Sequence, residues 1–197
     1  MLSSYRQAAV TALLTLWFAT MSFVCSTLMI GHWVQLPVPK VGSRQAFVSE
    51  SNTSESMKWR ALHFLSSECV CSKRILNHLL QRDPLSEIEE TIVIVGETDA
   101  IRESVAGSKF AIEWSTPEEL KCRYGVDAAP LLVVFDYDGT IRYSGAYTAR
   151  KQGFPIQDVQ LIKRALAGES IQPLPLFGCG VSREMQSLTD PLGLKKK

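Results

Sequence analysis

The chain has 197 residues, with 21 Lys and Arg against 20 Asp and Glu and a formal net charge of +1. That balance, without a basic patch, excludes a protein that grips nucleic acid through charge. The length suits one domain plus an anchor, and an odd count of 5 cysteines excludes a fully paired disulfide scaffold.

A short tail, residues 1–7, precedes an apolar stretch from Ala8 to Ile30. About 23 residues at ~1.5 Å each reach roughly 34 Å, enough to cross a bilayer. The segment 8–34 therefore reads as a transmembrane signal anchor, with Trp33 at the interface. It is long for a cleaved signal peptide, and no clean Ala-x-Ala site follows. Cys25 follows bulky Val24, which speaks against lipoprotein processing, and it reads as a small membrane-buried side chain. Arg6 on one side and Lys40 and Arg44 on the other nearly tie in the positive-inside count. The short tail favours N-inside, with the domain outside.

Residues 35–56 read as a flexible linker, with Pro37, Pro39, Gly42 and a Ser/Thr/Asn/Glu cluster. A domain over 57–170 follows. Its first strand is Trp59–Leu65, and a helix runs through Lys73–Leu80 until Asp83-Pro84 stops it. Thr91–Val95 is a continuous β-branched run, the pattern of a buried central strand. Glu97–Val105 reads as a short helix and Phe110–Trp114 as a strand. Thr116-Pro117-Glu118-Glu119 starts a helix that Gly125 ends. Cys122 inside it reads as a buried packing thiol. Leu131–Phe135, the turn Asp136–Gly139 and Thr140–Gly145 form a hairpin. Ile156–Ala167 is an amphipathic helix stopped by Gly168. The extension 171–197 carries Cys179 between two glycines and ends in Lys195-Lys196-Lys197, a solvated end.

The chemistry gathers at Ser66-Ser67-Glu68-Cys69-Val70-Cys71, where a strand hands over to a helix. Free N–H groups and the helix dipole favour a thiolate there, and Lys73 and Arg74 act in the same direction. Glu68 opposes them. If Cys69 lies in the loop and Cys71 opens the helix, a disulfide between them closes a small, strained and easily reduced ring. Cys69 is expected to be the more exposed nucleophile, with Cys71 or Cys179 resolving. Against this stands the plainer reading of small side chains that fill space.

The order of strand, Cys-x-Cys, helix, strand and helix, then Ala129-Pro130 and a strand–turn–strand–helix, resembles the thioredoxin superfamily over roughly 57–170. The run Gly125-Val126…Ala129-Pro130-Leu131-Leu132-Val133-Val134-Phe135 with Asp136, Asp138 and Gly139 resembles membrane-anchored thiol-disulfide oxidoreductases of the TlpA/ResA type and thioredoxin-like proteins of the RedB kind. The resemblance implies an α/β thioredoxin-like fold, a central mixed β-sheet flanked by helices, behind the transmembrane helix. It implies a cis-proline at Pro130 beside Cys69 and Cys71, with Ala129 and Pro130 shaping the substrate groove. It implies protein thiols or disulfides as substrates and a periplasmic domain on the inner membrane, with no cofactor. The motif departs from the usual Cys-x-x-Cys, because Ser72 stands where the second cysteine is expected. That departure turns attention to Cys179.

Two rival readings remain at this point. One is a metal-handling protein that holds copper or an iron–sulfur unit on Cys69, Cys71 and Cys179. The other is a non-catalytic interaction module. His63 and His78 lie nearby, His63 as a strand residue and His78 about two turns down the helix from Cys71. Four closely spaced zinc ligands cannot be assembled, and no peroxidatic Thr-x-x-Cys motif is present.

Overall fold

The structure, a computed structural model, describes residues 2–33, 35–44, 58–150 and 153–189. The expected end of the anchor at Val34, the linker from 45 to 56, the domain start near 57 and Lys195–Lys197 lie outside the described residues. The chain divides into two units, Met1–Val34 and Gln35–Lys197. The first holds α1 (Leu2–Trp33), and its segment Tyr5–Thr27 is long and apolar enough to cross a membrane. Cys25 lies exposed on it among apolar neighbours.

The second unit has a mixed sheet whose central strand is β1 (Arg60–Ser66). After α2 (Val70–Leu79) comes β2 (Glu89–Val95), parallel to β1, and after α3 (Asp99–Val105) comes β3 (Ala111–Ser115), parallel to β2. The helix α4 (Pro117–Tyr124) and the two-residue β4 (Ala128–Ala129) lead to β5 (Leu131–Phe135), antiparallel to β1, and β6 (Ile141–Gly145). The helix α5 (Asp158–Leu166), the two-residue β7 (Cys179–Gly180) and α6 (Arg183–Thr189) complete the order. The sheet runs β3-β2-β1-β5-β6, flanked by helices, which is the thioredoxin-like arrangement the cysteine–proline pattern implied.

Period-two alternation divides the core. Ala61 and Leu65 of β1 join Ile92 and Ile94 on the face covered by α2 and α5, through Ile75, Leu79, Leu161 and Ile162. Leu62 and Phe64 join Val93 and Val95 on the face covered by α4, through Leu120 and Tyr124. Thr116 and Glu119 form a reciprocal capping box at the start of α4, and Gly125 ends it at φ 64. Buried Asp136 organises the expected hairpin by accepting from the Asp138 and Thr140 N–H groups at 2.9 Å and from Arg142 Nε at 2.7 Å.

Three details differ from the sequence reading. The expected linker is tied down at its start: Leu36 N–H donates to the Leu176 carbonyl at 3.0 Å, and Gly42 and Ser43 exchange bonds with Ile141 at 2.8 and 2.9 Å. Those bonds cover part of the free edge of β6. The helix after the cysteines starts at Val70 rather than Lys73, because Cys69 stays extended as its N-cap, at φ −93 and ψ 119. Cys122 is exposed rather than buried. It sits two residues from both Leu120 and Tyr124, the buried side of α4, and positions two apart do not share a helix face.

Candidate active site

The turn Ser66–Cys69 delivers Cys69 to the N-terminus of α2 and places Cys71 inside its first turn. The Ala129–Pro130 peptide bond is cis, as the resemblance implied. Cys69 Sγ lies 3.9 Å from the Ala129 carbonyl oxygen, so the cysteine turn and the proline turn meet. A cavity of about 150 Å³ opens beside them, with Cys71, Val70, Arg74, Pro130, Tyr147 and Phe177 on its wall.

Cys179 arrives from the far end of the chain. The strand β7 pairs antiparallel with β4, with Cys179 opposite Ala129 and Gly180 opposite Ala128. Sequence reasoning named all three thiols, and the fold brings Cys71 and Cys179 within hydrogen-bonding reach of Cys69.

Exposure is the reverse of the expectation. Cys69 is buried at 1% exposure, while Cys71 is half-buried and faces the cavity. The residue that α2 turns outward here is Val70, at 75% exposure. The extended segment through Gly178-Cys179-Gly180 pairs with β4 and brings the Cys179 thiol to the Cys69 sulfur, a long-range pairing that local spacing could not announce.

The electrostatics favour an anion at Cys69. The Cys179 thiol and then the Cys71 thiol hydrogen-bond to its sulfur and hold the Cys69 thiol far below the ordinary range. Burial opposes them, and the Ser72 N–H adds a smaller push downward. Lys73 and Arg74 are not the leading cause. Arg74 is turned away, donating to the Gly153 carbonyl and stacking 4.1 Å over the Phe154 ring. Protonated, the Cys69 thiol can donate to the Ala129 carbonyl. Ionised, it accepts from its two neighbours.

Beneath the cavity wall lies a polar network that sequence reasoning missed. Buried His63 meets the Tyr147 hydroxyl at 3.1 Å through Nδ1 and Glu90 at 3.0 Å through Nε2, and its ring stacks on Tyr147. Arg82 bridges Glu90 and Asp158, and Asp158 also meets His78 Nε2 at 3.0 Å. Burial pushes the Glu90 carboxyl up, but hydrogen bonds from His63 and Arg82 outweigh it and hold the group at about 2. Both histidines are thus engaged by carboxylates rather than turned to the thiols. Among the described residues, no group of three or more His, Cys, Asp or Glu side chains is arranged to hold a metal ion. The metal-handling reading is therefore not favoured. The signal available in the sequence was a histidine inside the apolar run of β1 and a glutamate at the start of the β-branched run of β2.

No protein-family model matches the chain, and no curated protein matches it in sequence. Among solved structures, a hypothetical protein from Sinorhizobium meliloti aligns at a TM-score of 0.53 and 14% identity, over 75% of this chain and 95% of that one. An uncharacterised conserved protein from Geobacillus kaustophilus aligns at 0.51 and 16% identity, over 76% and 97%. These likenesses concern the fold alone. A secreted disulfide oxidoreductase from Mycobacterium tuberculosis aligns at 0.40 and 19% identity, over 57% and 83%, a score that says nothing of this chain's activity.

Proposed function

We propose that this chain is a membrane-anchored thiol-disulfide oxidoreductase built on Cys69, Cys71 and Cys179. The observation that carries the reading is the Cys69 sulfur at the N-terminus of α2, hydrogen-bonded by two other thiols and set against the Ala129–Pro130 turn. A thiolate poised beside a second thiol is the minimum equipment for exchange.

Cys69 supplies the attacking thiolate. It bonds to one sulfur of a substrate disulfide, and the other substrate sulfur leaves as a thiolate. A second protein thiolate then attacks the Cys69 sulfur, forms an internal disulfide and releases the remaining substrate sulfur. Two electrons pass from the protein dithiol to the substrate disulfide. An external dithiol reverses the change in the protein. Cys179 is the better resolving thiol, because its strand brings it to Cys69 from a separate segment, whereas a Cys69–Cys71 bond closes a very small ring. Ala129 and Pro130 form the wall against which the substrate sulfur is presented.

The anchor is α1, and the domain faces the periplasmic side of the inner membrane. The apolar length of Tyr5–Thr27 supports the anchor.

The test is direct. Reduced full-length protein in detergent should release thiol from an aromatic test disulfide, and Cys69→Ser should lower the rate by about 100-fold or more, as expected when an activated nucleophile is removed. A wild-type rate in Cys69→Ser would end the proposal.

A further inference from the structure

The segment that carries Cys179 does more than bring a thiol. It lies extended from Pro173, and its backbone is pinned on both sides of β7: the Leu176 carbonyl accepts from Leu36 at 3.0 Å, and Val181 N–H donates to the Asp127 carbonyl at 2.7 Å. Leu176 and Val181 are buried. Between them Gly178 presses so close to β4 that a side chain there would collide with the Ala129 carbonyl oxygen. Gly180 is equally confined, because a Cβ would meet the Met185 backbone at 2.7 Å. This fit sets Cys179 against the Cys69 sulfur, which is 1% exposed, and occupies the edge of β4. An external disulfide cannot reach Cys69 Sγ while the segment stays down. The ladder itself is only two residues long, and lifting it also frees the Leu36 and Asp127 bonds, so the strap opens as a transient local unfolding.

We propose that residues 173–181 form a lid, and that β7 and an extended strand of the substrate protein are alternative partners of the β4 edge. The proposal rests on the exchange reading and adds its gate: a disulfide-bearing strand is admitted only when the strap lifts. Main-chain pairing supplies the hold on such a strand, and the occupant of the edge alternates. With the strap up, Cys69 thiolate attacks the substrate disulfide and one substrate thiolate leaves. As the strap returns, Cys179 gives its proton to water and its thiolate attacks Cys69 Sγ. The mixed bond breaks, the Cys69–Cys179 bond forms, and the second substrate thiolate departs and takes a proton from water. The returning strand also reclaims the β4 edge, so resolution and ejection of the substrate are one movement.

The test is alkylation of the reduced full-length chain in detergent with iodoacetamide, with fragment ions assigning the label to Cys69 or Cys71. In the wild type, Cys69 should react about fivefold or more slowly than Cys71, despite its favoured thiolate, because the strap shields it. Gly178→Ala, which the closed strap cannot accommodate, should raise the Cys69 rate about fivefold or more and slow formation of the Cys69–Cys179 bond. Val181→Pro, which removes the donor to Asp127, should do the same and serves if the alanine variant fails to fold. Smaller effects in the variants that fold, or a wild-type Cys69 as reactive as Cys71, overturn the lid. A chain that alkylates as stated but transfers no electrons to a test disulfide keeps the lid and loses the exchange reading. One that exchanges with an unshielded Cys69 loses the lid alone.

Discussion

Ala129 faces two cysteines: Cys179 pairs with it across the β4–β7 ladder, and its carbonyl oxygen lies 3.9 Å from Cys69 Sγ. One residue before the cis-proline thus sets the distance between the first and last thiols of the domain. Cys179→Ser should therefore trap a mixed disulfide between Cys69 and substrate, visible by non-reducing electrophoresis, while Cys71→Ser should turn over. If the trap forms in Cys71→Ser instead, the small-ring bond is the working one and the strand pairing has no part in resolution.

The polar network behind Tyr147 is expected to matter for stability. Glu90 accepts from His63, from Arg82 and from the Leu85 N–H inside the domain. Arg82→Met should cost about 3 kcal/mol or more, since it strips a partner from buried Glu90 and Asp158 together. The pH dependence follows in sign. Glu90 is held at about 2 against an ordinary 4.5, so its contribution is present above 4.5 and is lost as pH falls toward 2. Acid melting curves should show a steep loss of Tm in that window, flattened in Glu90→Gln. Equal acid slopes in the two proteins would remove Glu90 from the account.

Helix α4 offers a smaller, cleaner measurement. Thr116 Oγ1 accepts from the Glu119 N–H at 3.2 Å, and Glu119 returns a bond to the Thr116 N–H at 2.8 Å. Thr116→Ala should cost about 1 kcal/mol in urea titration, with the m-value unchanged.

What could be read from residues alone follows from the range of the physics involved. The α4 cap, the Asp136 turn and the β-branched run of β2 are written within a few positions, and each lies close to where the pattern put it. The three thiols were also legible, because cysteine chemistry is recognisable by type. What was not legible depends on contacts across the whole chain. The Cys179 thiol meets the buried Cys69 because β7 pairs with β4 from far along the chain, and nothing at Ser66–Cys71 encodes that. Cys122 is exposed because its helix turns Leu120 and Tyr124 inward, a choice fixed by the sheet. His63 and Glu90 were invisible as partners, since 27 positions separate residues that the β1–β2 register brings together.

Membrane attachment and sidedness can be measured together. Cys122 is exposed on α4 and serves as a reporter, its label assigned by fragment ions. Full-length protein should stay with the membrane at alkaline pH and keep its N-terminus. A membrane-impermeant maleimide on intact cells should label Cys122. Labelling only after lysis would put the domain on the other side, and a soluble product beginning near Trp33 would show a cleaved signal.

The last expectation concerns the charge on Cys69. Hydrogen bonds from Cys179 and then Cys71 favour its thiolate against the cost of burial. The thiolate absorbance of the reduced protein should therefore retain one equivalent well below the ordinary 9.0, and Cys69→Ser should remove it. Cys179→Ser keeps a hydroxyl donor at the same place and should raise the apparent pKa only partly, whereas Cys179→Ala should raise it more than Cys71→Ala does. The linkage has a definite sign. A folded pKa below the unfolded one adds stability to the reduced protein that is fully present above the unfolded value of 9.0 and is lost as pH falls through the folded value. The Tm of the reduced wild type should thus exceed that of Cys179→Ala by a margin that closes in acid, widens as pH rises from the wild-type folded value to the variant's, and is constant above it. A margin that widened in acid instead would mean that Cys69 is held as the neutral thiol by the Ala129 carbonyl, and the attacking group would have to be sought at Cys71.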